Sequence, residues 1–538
     1  MSHYSKIFNK VPVQIPNKSG FDLSHENLYS GKCGTLYPVL VDQLLPNDTV
    51  SLGHLTQVQL PPMATDFYGR VVAKFEAFFV PNRILFGGWQ DFITHPVQGA
   101  NYPDGTSSYR KVTELPSITV RANSSDSAIP VSFLAPGSLA DFLGVKMNAG
   151  IPSSANSFTI PNALPFFAYH KIYDDWYRDS RIQASVFVND RSELSGVNVA
   201  GSGIYSFSPI VYNSKSKATL SDGVSLLSLR QRNWEKDYFT NATPKPQAGD
   251  PAQLAFKVDT STGDGSFTIA SLRAANSLQQ WMERNNIAGY RYGDQIKAQF
   301  GIYPADAITD RAIYLGSHTV DVYNRSVYQQ TGSASVTNNP FDSVGNKFGS
   351  SQAVGDGSLV GKFTASEHGF LIVMMSLVPR AYYGSGTRRY LRYNSSADFP
   401  FPLLAGVGDQ PVYVQELADD VVSDNDKIFG YTQRYSECKY MDDEVHGLLR
   451  DGESLSSFAL QRTFDGDVEL GKDFLQIPTD YLDQVAAVAD KTVGSYGFWA
   501  DSYFAYKKVS TLPAYSIPTL GDPKDTHTEV IDNGGKRL

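Results

Sequence analysis

Two apolar segments far apart in the chain have β-strand patterns and require a fold built around a sheet. In residues 71–79, alternate positions from Val71 through Phe75 to Phe79 are apolar. This period of two predicts a half-buried strand with one face toward a core. Residues 370–375 are apolar throughout, which is typical of a strand buried on both faces and too short to cross a bilayer. Residues 497–506 supply a last strand candidate.

Two other segments have helical periodicity. In residues 163–177, aromatic and aliphatic side chains such as Tyr173 and Trp176 recur at steps of three and four, which predicts a helix with an aromatic face. Residues 269–287 repeat apolar side chains in the same way, and Gly289 supplies a stop. The chain is therefore predicted to be mainly β with a few helices.

Long polar stretches rich in glycine, serine and asparagine separate these patterns. We interpret them as large insertions in a single domain of residues 21–520. The predicted insertions cover residues 95–160, 185–268 and 325–365. Loops of this length are uncommon in an ordinary compact domain, so they are expected to form surface outside the core.

The two ends of the chain are predicted to lie outside that domain. Residues 1–20 contain Pro12, Pro16 and Gly20 and no sustained period, which predicts an extended N-terminal arm. Residues 521–538 are predicted to be a C-terminal tail. The first ten residues have no apolar stretch of signal-peptide length, so we do not expect export by that route.

The charge balance excludes a protein whose main task is to coat nucleic acid. Lys and Arg number 46 against 55 Asp and Glu, a net charge of −9, so the chain as a whole repels polyanions. Only 19% of residues are charged, while 31 Tyr and 31 Phe provide apolar area suited to contacts between subunits. The two cysteines, Cys33 and Cys438, form no metal-like or disulfide-like pattern, which favours folding in a reducing cytosol.

Any nucleic acid that the protein contacts must therefore be met by a local basic patch. The candidates are three lysines of the arm and three arginines of one segment: Lys6, Lys10, Lys18, Arg388, Arg389 and Arg392. Tyr390 and Tyr393 alternate with the arginines, and single-stranded bases stack on aromatic rings beside guanidinium groups. An ordinary charged loop or an ion pair between subunits explains the same pattern, and this alternative stays open.

The motifs of common enzymes are missing from the sequence. It contains no His-Glu-x-x-His, Gly-x-Ser-x-Gly or Cys-x-x-Cys. Residues 357–364 resemble a phosphate loop but have too few residues between the glycines, and Phe363 occupies the magnesium-binding position. Acidic clusters at 419–426 and 442–444 follow no EF-hand pattern and are interpreted as solvated loops. We expect no enzymatic activity, cofactor or metal site.

Several motifs together resemble one protein family. The segments 429–437 (Phe-Gly-Tyr-Thr-Gln-Arg-Tyr-Ser-Glu) and 232–240 (Arg-Asn-Trp-Glu-Lys-Asp-Tyr-Phe-Thr), with Glu283-Arg284 before 289–292 (Gly-Tyr-Arg-Tyr), resemble the major capsid protein of the microviruses. Microviruses are small single-stranded DNA phages, and the similarity is greatest to their gokushovirus-like branch. Further resemblances lie in the same chain order, at residues 45–49, 78–83, 172–179, 367–369 and 512–518. They extend over residues 21–520.

The resemblance implies a fold and a function. The fold would be an eight-stranded antiparallel viral jelly roll with long insertions. The function would be to form a closed T=1 icosahedral shell of about 60 copies around circular single-stranded DNA. Expected partners are a small basic DNA-binding protein, pilot or scaffolding proteins and a host cell-surface receptor. The protein would be made in the bacterial cytoplasm and would reside in the virion, with a host-attachment protrusion formed near residues 185–228.

A different class of protein has a similar composition. Secreted β-sandwich carbohydrate-active enzymes and sugar-binding modules are also rich in Tyr and Trp. Such a protein would be a monomer with a concave aromatic cleft and two opposed carboxylates. A third class, an adhesin or tail component, would be structural without closing into a shell.

Overall fold

The structure is a computed structural model that describes most of the chain. It covers residues 18–63, 67–87, 89–94, 115–121, 135–146, 157–187, 210–212, 220, 222–246, 269–288, 291–302, 305–306, 308–328, 347–396, 398–418, 427–464, 468–486 and 497–514. Within these residues the protein is mainly β, with antiparallel sheets and a few helices, which confirms the predicted class. None of the described helices has the length and apolar character needed to cross a membrane.

The strands of the described residues fall into four sheets. In chain order they are β1 (Ser19–Asp22), β2 (His25–Gly31), β3 (Thr35–Leu44), β4 (Thr49–Gln59), β5 (Val71–Pro81), β6 (Ile118–Arg121), β7 (Ser157–Ile160), β8 (Ile210–Tyr212), β9 (Arg230–Gln231), β10 (Ile313–Asp321), β11 (Tyr323–Tyr328), β12 (Lys347–Thr364), β13 (Gly369–Pro379), β14 (Gln410–Tyr413), β15 (Ile428–Thr432) and β16 (Phe498–Ser510).

Helices connect and cover the sheets. The α-helices are α1 (Asn82–Leu85), α2 (Trp89–Thr94), α3 (Leu139–Phe142), α4 (Leu164–Ile172), α5 (Ile269–Ala288), α6 (Tyr292–Phe300) and α7 (Lys472–Leu475). A π-helical turn, Tyr173–Tyr177, continues α4. The 3-10 helices are Arg389–Arg392, Pro402–Gly406, Val414–Glu416, Ser436–Cys438, Gly447–Leu449, Ser456–Phe458 and Tyr481–Gln484.

Two large antiparallel sheets lie face to face. The first has the order β1-β16-β4-β12-β11, with β2 also paired to β16, and the second has the order β10-β5-β13-β3-β9. Val50 and Phe504 from the first sheet and Phe75 and Val373 from the second belong to one buried cluster. The main core therefore lies between the sheets, where the alternating side chains of both inner faces meet.

The central strand β13 is buried along its whole length, as its apolar run predicts. Leu371 and Val373 point into the core between the sheets, while Ile372 and Met374 belong to a second cluster that includes α4. The neighbouring strand β5 is similar, because Phe75 faces the first core and Phe78 the second. Strand β5 was predicted to be half-buried, but α4 covers its reverse face as well.

The aromatic helix predicted at 163–177 is present as α4 and its π-helical turn. Its polar residues lie between the aromatic positions in sequence, yet they are buried too. They are held in ion pairs: Lys171 Nζ lies 3.1 Å from Asp175 Oδ1, and Arg178 Nε lies 2.7 Å from Asp174 Oδ1. Because buried charges are costly unless paired, these bonds allow the whole segment to lie between the second sheet and the segments at 118–120 and 220–227, which share its buried cluster.

The prediction that residues 325–365 form an insertion is wrong for much of this segment. Residues 347–364 form β12, an 18-residue strand that pairs with β4 in the first sheet. The glycines of this strand interrupt the apolar alternation by which a strand is recognised in a sequence. Packing between the two sheets requires these glycines. A Cβ on Gly355 would lie 2.7 Å from Val320, and one on Gly357 would lie 2.6 Å from the His318 ring. Glycine allows β10 to approach β12 closely.

The N-terminal arm is shorter than predicted within the described residues. Ser19 and Gly20, assigned to the arm, belong to β1 and pair with Ser510 and Val509. The Lys18 ammonium group donates hydrogen bonds of 2.8 and 2.7 Å to the backbone and side-chain oxygens of Asn47. Lys6, Lys10 and the predicted tail at 521–538 lie outside the described residues.

The packing of the π-helical turn gives a first prediction. The Trp176 ring lies 5.7 Å from the Phe78 ring and 3.9 Å from the Arg311 guanidinium, and its Nε1 donates to Ala312 O at 2.8 Å. Replacing Trp176 by Ala removes these contacts and should lower the free energy of unfolding by about 3 kcal/mol. Chemical denaturation of dispersed subunits measures this value.

The exposed Trp281 of α5 supplies the matched control. Its side chain is 50% exposed, so Trp281→Ala should change the free energy of unfolding by less than about 1 kcal/mol. Equal effects of the two substitutions would contradict the packing described for Trp176.

A buried histidine in contact with a partly buried one gives a second prediction. His54 of β4 is 3% exposed, and its Nδ1 lies 3.1 Å from Nδ1 of His318 on β10. Burial, together with the neighbouring His318, lowers the pKa of His54 to about 3, while unfolding restores an ordinary value near 6.5. The unfolded state therefore binds a proton at His54 more readily than the folded state does. The contribution of neutral His54 to the free energy of unfolding is complete above pH 6.5 and declines as the pH falls toward 3.

Replacing His54 by Phe should reduce that pH dependence. At pH 5, protonation of unfolded His54 costs the native protein about 2 kcal/mol relative to pH 7, and the variant should not show this loss. Unfolding free energies measured between pH 7 and 5 test the expectation. The same substitution at the exposed His446 should leave the wild-type slope, whereas a wild-type slope in His54→Phe would refute the assignment.

Candidate nucleic-acid interface and motif junction

Three of the motifs singled out in the sequence meet on one side of the second sheet. The guanidinium of Arg291 donates to the backbone carbonyls of Asp174 and Arg178, the latter at 3.0 Å. The amide of Asn233 donates to Tyr177 O at 3.0 Å. These bonds tie residues 232–240 and the start of α6 to the π-helical turn. We call this meeting point of the three segments the motif junction. It is a network of structural hydrogen bonds.

Ion pairs close this junction. Burial alone would raise the pKa of Asp179, but its bonds to Arg181 and Lys236 hold that pKa below the ordinary value. On the opposite side, Glu76 of β5 accepts a 2.6 Å hydrogen bond from the Tyr177 hydroxyl and pairs with Arg232. Each charged group is therefore matched inside the junction.

A third cluster of buried side chains forms what we call the small lobe. It contains the two-stranded sheet β14-β15 and is built on apolar residues of four chain segments: Tyr238, Phe239, Ala242, Tyr383, Val412, Val414, Leu417, Ala418, Phe429, Phe474 and Leu475. The motif at 232–240 thus contributes to the small lobe as well as to the motif junction.

Arg462 joins the small lobe to the main core. It is 7% exposed, and its guanidinium lies 4.2 Å from the Phe474 ring, 5.0 Å from Trp234 and 5.7 Å from Tyr383. It also donates to the Tyr383 hydroxyl at 3.0 Å, and that hydroxyl donates to Asp237 at 2.7 Å. Sequence reasoning missed Arg462, since only folding brings the aromatic rings around it.

The motif at 429–437 holds the small lobe together. Tyr431 and Thr243 exchange two backbone hydrogen bonds of 2.8 Å. A Cβ at Gly430 would lie 3.0 Å from Leu470 and 3.1 Å from Ala242, so a larger residue would separate these segments. The carboxylate of Glu437 accepts a 2.9 Å bond from the Tyr393 hydroxyl. This motif is therefore explained by packing and hydrogen bonding.

The three arginines predicted to contact DNA lie together in the small lobe but turn toward carboxylates and other acceptors. Arg388 Nε lies 2.6 Å from Glu444, and Arg389 lies 3.1 Å from Glu416 and 3.7 Å from Glu437. Arg392 donates to the Gln415 side chain and lies 4.2 Å from the Tyr413 ring. Contact with phosphate would have to compete with these partners. Lys18 is likewise bonded to Asn47.

A cleft of about 370 Å³ opens beside these arginines. Asp442 lines it, and its Oδ1 accepts a hydrogen bond from Tyr238 N at 3.3 Å. Burial, together with the nearby Asp237, raises the pKa of Asp442 to about 7. The cleft therefore contains a carboxyl group that changes charge near neutral pH. In the described part of the chain, no group of three or more His, Cys, Asp or Glu could hold a metal ion.

Comparison with known proteins identifies the family. The model of the family described as "Capsid protein (F protein)" matches residues 9–264 and 255–520. The chain belongs to this capsid protein family. It is 27% identical to "Capsid protein VP1" of Chlamydia phage 1, with 95% of this chain and 97% of the relative covered. It is 24% identical to "Capsid protein VP1" of Bdellovibrio phage phiMH2K, with 96% and 98% covered.

A more distant relative agrees with this assignment. "Capsid protein VP1" of Spiroplasma virus 4 is 22% identical, with 94% of this chain and 95% of the relative covered. The chain is thus a microvirus capsid protein of the gokushovirus-like type, and it is a structural component of a bacteriophage virion. The family is not enzymatic, which confirms the sequence prediction and removes the carbohydrate enzyme as an alternative.

Asp442 provides the prediction from this site. Its pKa is raised from 3.8 in the unfolded chain to about 7 in the folded protein. This raised value contributes stability that is complete below pH 3.8 and is lost as the pH rises through 7. Asp442→Asn should therefore stabilise dispersed subunits at pH 8 by about 1 to 2 kcal/mol, with allowance for partial solvent screening.

Thermal unfolding at pH 8 and pH 5 measures this effect. The gain should shrink at pH 5, where Asp442 is already protonated in the folded protein. Asp443→Asn, a neighbouring substitution that removes the ion pair with Arg380, is the control and should give no gain at pH 8. A destabilised Asp442→Asn protein at pH 8 would reject the raised pKa.

Proposed function

We propose that this chain is the major subunit of a small T=1 icosahedral shell, with about 60 copies enclosing circular single-stranded DNA. The observation that carries the proposal is the family match along residues 9–520, together with relatives of nearly the same length that are named capsid proteins. Apolar contacts between copies would drive association, and several weak contacts per subunit would combine through multivalency.

The strand pairings support a jelly-roll core. Strand β3 pairs with β13, β4 with β12, and β5 with β10, so three antiparallel pairs are nested along the chain. Consecutive strands β3, β4 and β5 also alternate between the two sheets. A long hairpin rolled into two facing sheets has this nesting, and a jelly roll contains one such roll. The two large sheets have eleven strands among the described residues, so further strands flank the proposed eight-stranded roll.

The electrostatics support a division of labour in DNA packaging. A net charge of −9 opposes packaging by this chain alone, so a small basic companion protein would neutralise most of the phosphate charge. Direct contact by Lys6, Lys10, Lys18, Arg388, Arg389 and Arg392 stays a prediction. Arg388 and Arg389 both form ion pairs, and the side chain of Arg388 is the more accessible of the two, at 37% against 16%.

Assembly and infection require further partners. We assign pilot or scaffolding proteins to assembly in the bacterial cytoplasm. The outer surface of the shell would bind a host receptor, and residues 185–228 are the proposed attachment region. Only residues 185–187, 210–212, 220 and 222–228 of that region are described.

Purified protein tests the proposal directly. We expect uniform closed shells in negative-stain microscopy and a single fast boundary in sedimentation velocity, with nuclease-resistant DNA when shells form in infected or co-expressing cells. A preparation that remains monomeric under all of these conditions, including co-expression with the viral companion proteins, would contradict it.

A further inference from the structure

The small lobe has an inverted distribution of polar and apolar side chains. Its charged groups point inward, where the Arg389 side chain is 16% exposed and that of its partner Glu416 is 3% exposed. The residues that follow Arg389, Tyr390 and Leu391, are 55% and 67% exposed. Proteins normally bury such apolar side chains and leave arginine outside. This inverted distribution indicates that another molecule covers the outer face of the small lobe in the functional state.

The exposed apolar side chains of the small lobe form what we call the lobe surface. It contains ten large residues, which are Tyr390, Leu391, Phe399, Phe401, Leu403, Val407, Tyr440, Met441, Leu448 and Leu455. Leu403 is 91% exposed and Met441 is 77% exposed.

Contacts within the lobe connect these residues. Tyr390, Leu391, Tyr440 and Met441 line the same cleft. The Phe399 ring lies 5.2 Å from Tyr393, whose hydroxyl is bonded to Glu437 beside that cleft. Five of the ten side chains therefore lie at or beside this cleft. The next three, Phe401, Leu403 and Val407, follow Phe399 closely in the chain, and Leu448 is bonded through its backbone to Leu455.

The size of the lobe surface matches a protein interface. An aromatic side chain buries roughly 150–250 Å² when it is covered completely. Four half-exposed aromatic side chains and six aliphatic ones therefore supply an area of the order of the ~800 Å² that each partner contributes to a standard interface. Monomeric proteins rarely leave an apolar patch of this size open to water.

The composition of the lobe surface favours protein over DNA as its occupant. Half of its ten residues are Tyr, Phe or Met, and the segment 380–418 contains no lysine, which is the composition of an interface core. The nearby guanidinium groups are already bonded within the lobe, so few free cations face outward to meet phosphate. A capsid subunit is bordered by copies of itself, so another copy is the protein partner that this surface would meet in a shell.

We propose that the lobe surface is a contact between copies of this chain, in which it packs against a neighbouring subunit in the shell. This inference rests on the proposed shell-forming function and assigns one face to it. The inward ion pair of Arg389 with Glu416 holds the lobe so that its apolar residues face the neighbour. A contact that joins two different faces closes into a ring when the rotation between copies fits.

Hydroxyl-radical footprinting of wild-type protein tests the contact without any substitution. Leu403, Phe401 and Met441 should be labelled at least fivefold more slowly in shells than in dispersed subunits. Equal labelling in both states would overturn the inference while leaving shell formation intact. Protection that disappears in DNA-free shells would assign the lobe surface to DNA and would also overturn it.

Paired substitutions provide an independent test. Leu391→Asp with Leu403→Asp places two carboxylates on the lobe surface, and the yield of shells should fall at least tenfold. Both side chains are exposed in the subunit, so the circular dichroism and melting temperature of dispersed protein should stay at wild-type values.

The matched control places the same charges on another exposed face. Leu28→Asp with Val354→Asp alters two exposed apolar residues of the first sheet, and it should reduce shell yield by less than threefold. Wild-type yield from the lobe variant would reject the proposed contact. Failure of wild-type protein to form any shell would instead reject the proposed function itself.

Discussion

Burial of both faces of β13 is the constraint on which the rest of the structure depends. A strand with apolar side chains on both faces needs a layer on each side. The first sheet supplies one layer, and α4 with its π-helical turn supplies the other. Because α4 also packs against the segments at 118–120 and 220–227, its own polar side chains must be paired inside the protein. A three-layer arrangement follows from one apolar run.

The family motifs serve this arrangement rather than any chemistry. Asn233 and Arg291 satisfy backbone carbonyls of the π-helical turn, where regular helical bonding is interrupted. Arg462 fills the space between Trp234 and the aromatic rings of the small lobe. These residues are polar and grouped, as catalytic residues are, yet each is matched by a structural partner. That matching fits a protein whose function is to hold its shape.

The small lobe shows how a capsid subunit differs from a monomeric enzyme. In an enzyme the polar groups converge on a pocket that receives substrate, and the apolar groups stay inside. Here Arg389 pairs with both Glu416 and Glu437 within the lobe, while Leu403 and Met441 face solvent. Monomeric proteins rarely leave such a surface open to water, and the proposed contact between copies would cover it. Assembly would therefore bury apolar side chains that the folding of a single subunit leaves exposed.

Local patterns in the sequence are sufficient to predict the mainly β class, the helices α4 and α5, and the family. The alternation in β5, the apolar run of β13 and the ordered motifs depend on neighbours within a few residues, so they can be recognised without a fold. Strand β12 could not be recognised, because its glycines are required by β10 in the other sheet.

Only the tertiary structure decides which partners the charged side chains of the small lobe point toward. Arg388 and Arg389 have the sequence pattern of a nucleic-acid site, but carboxylates from residues 416, 437 and 444 reach them only after folding. Electrostatic partners distant in sequence leave no local periodicity. The sequence by itself therefore determined what kind of protein this is, and only the folded chain decided which faces remain for its neighbours.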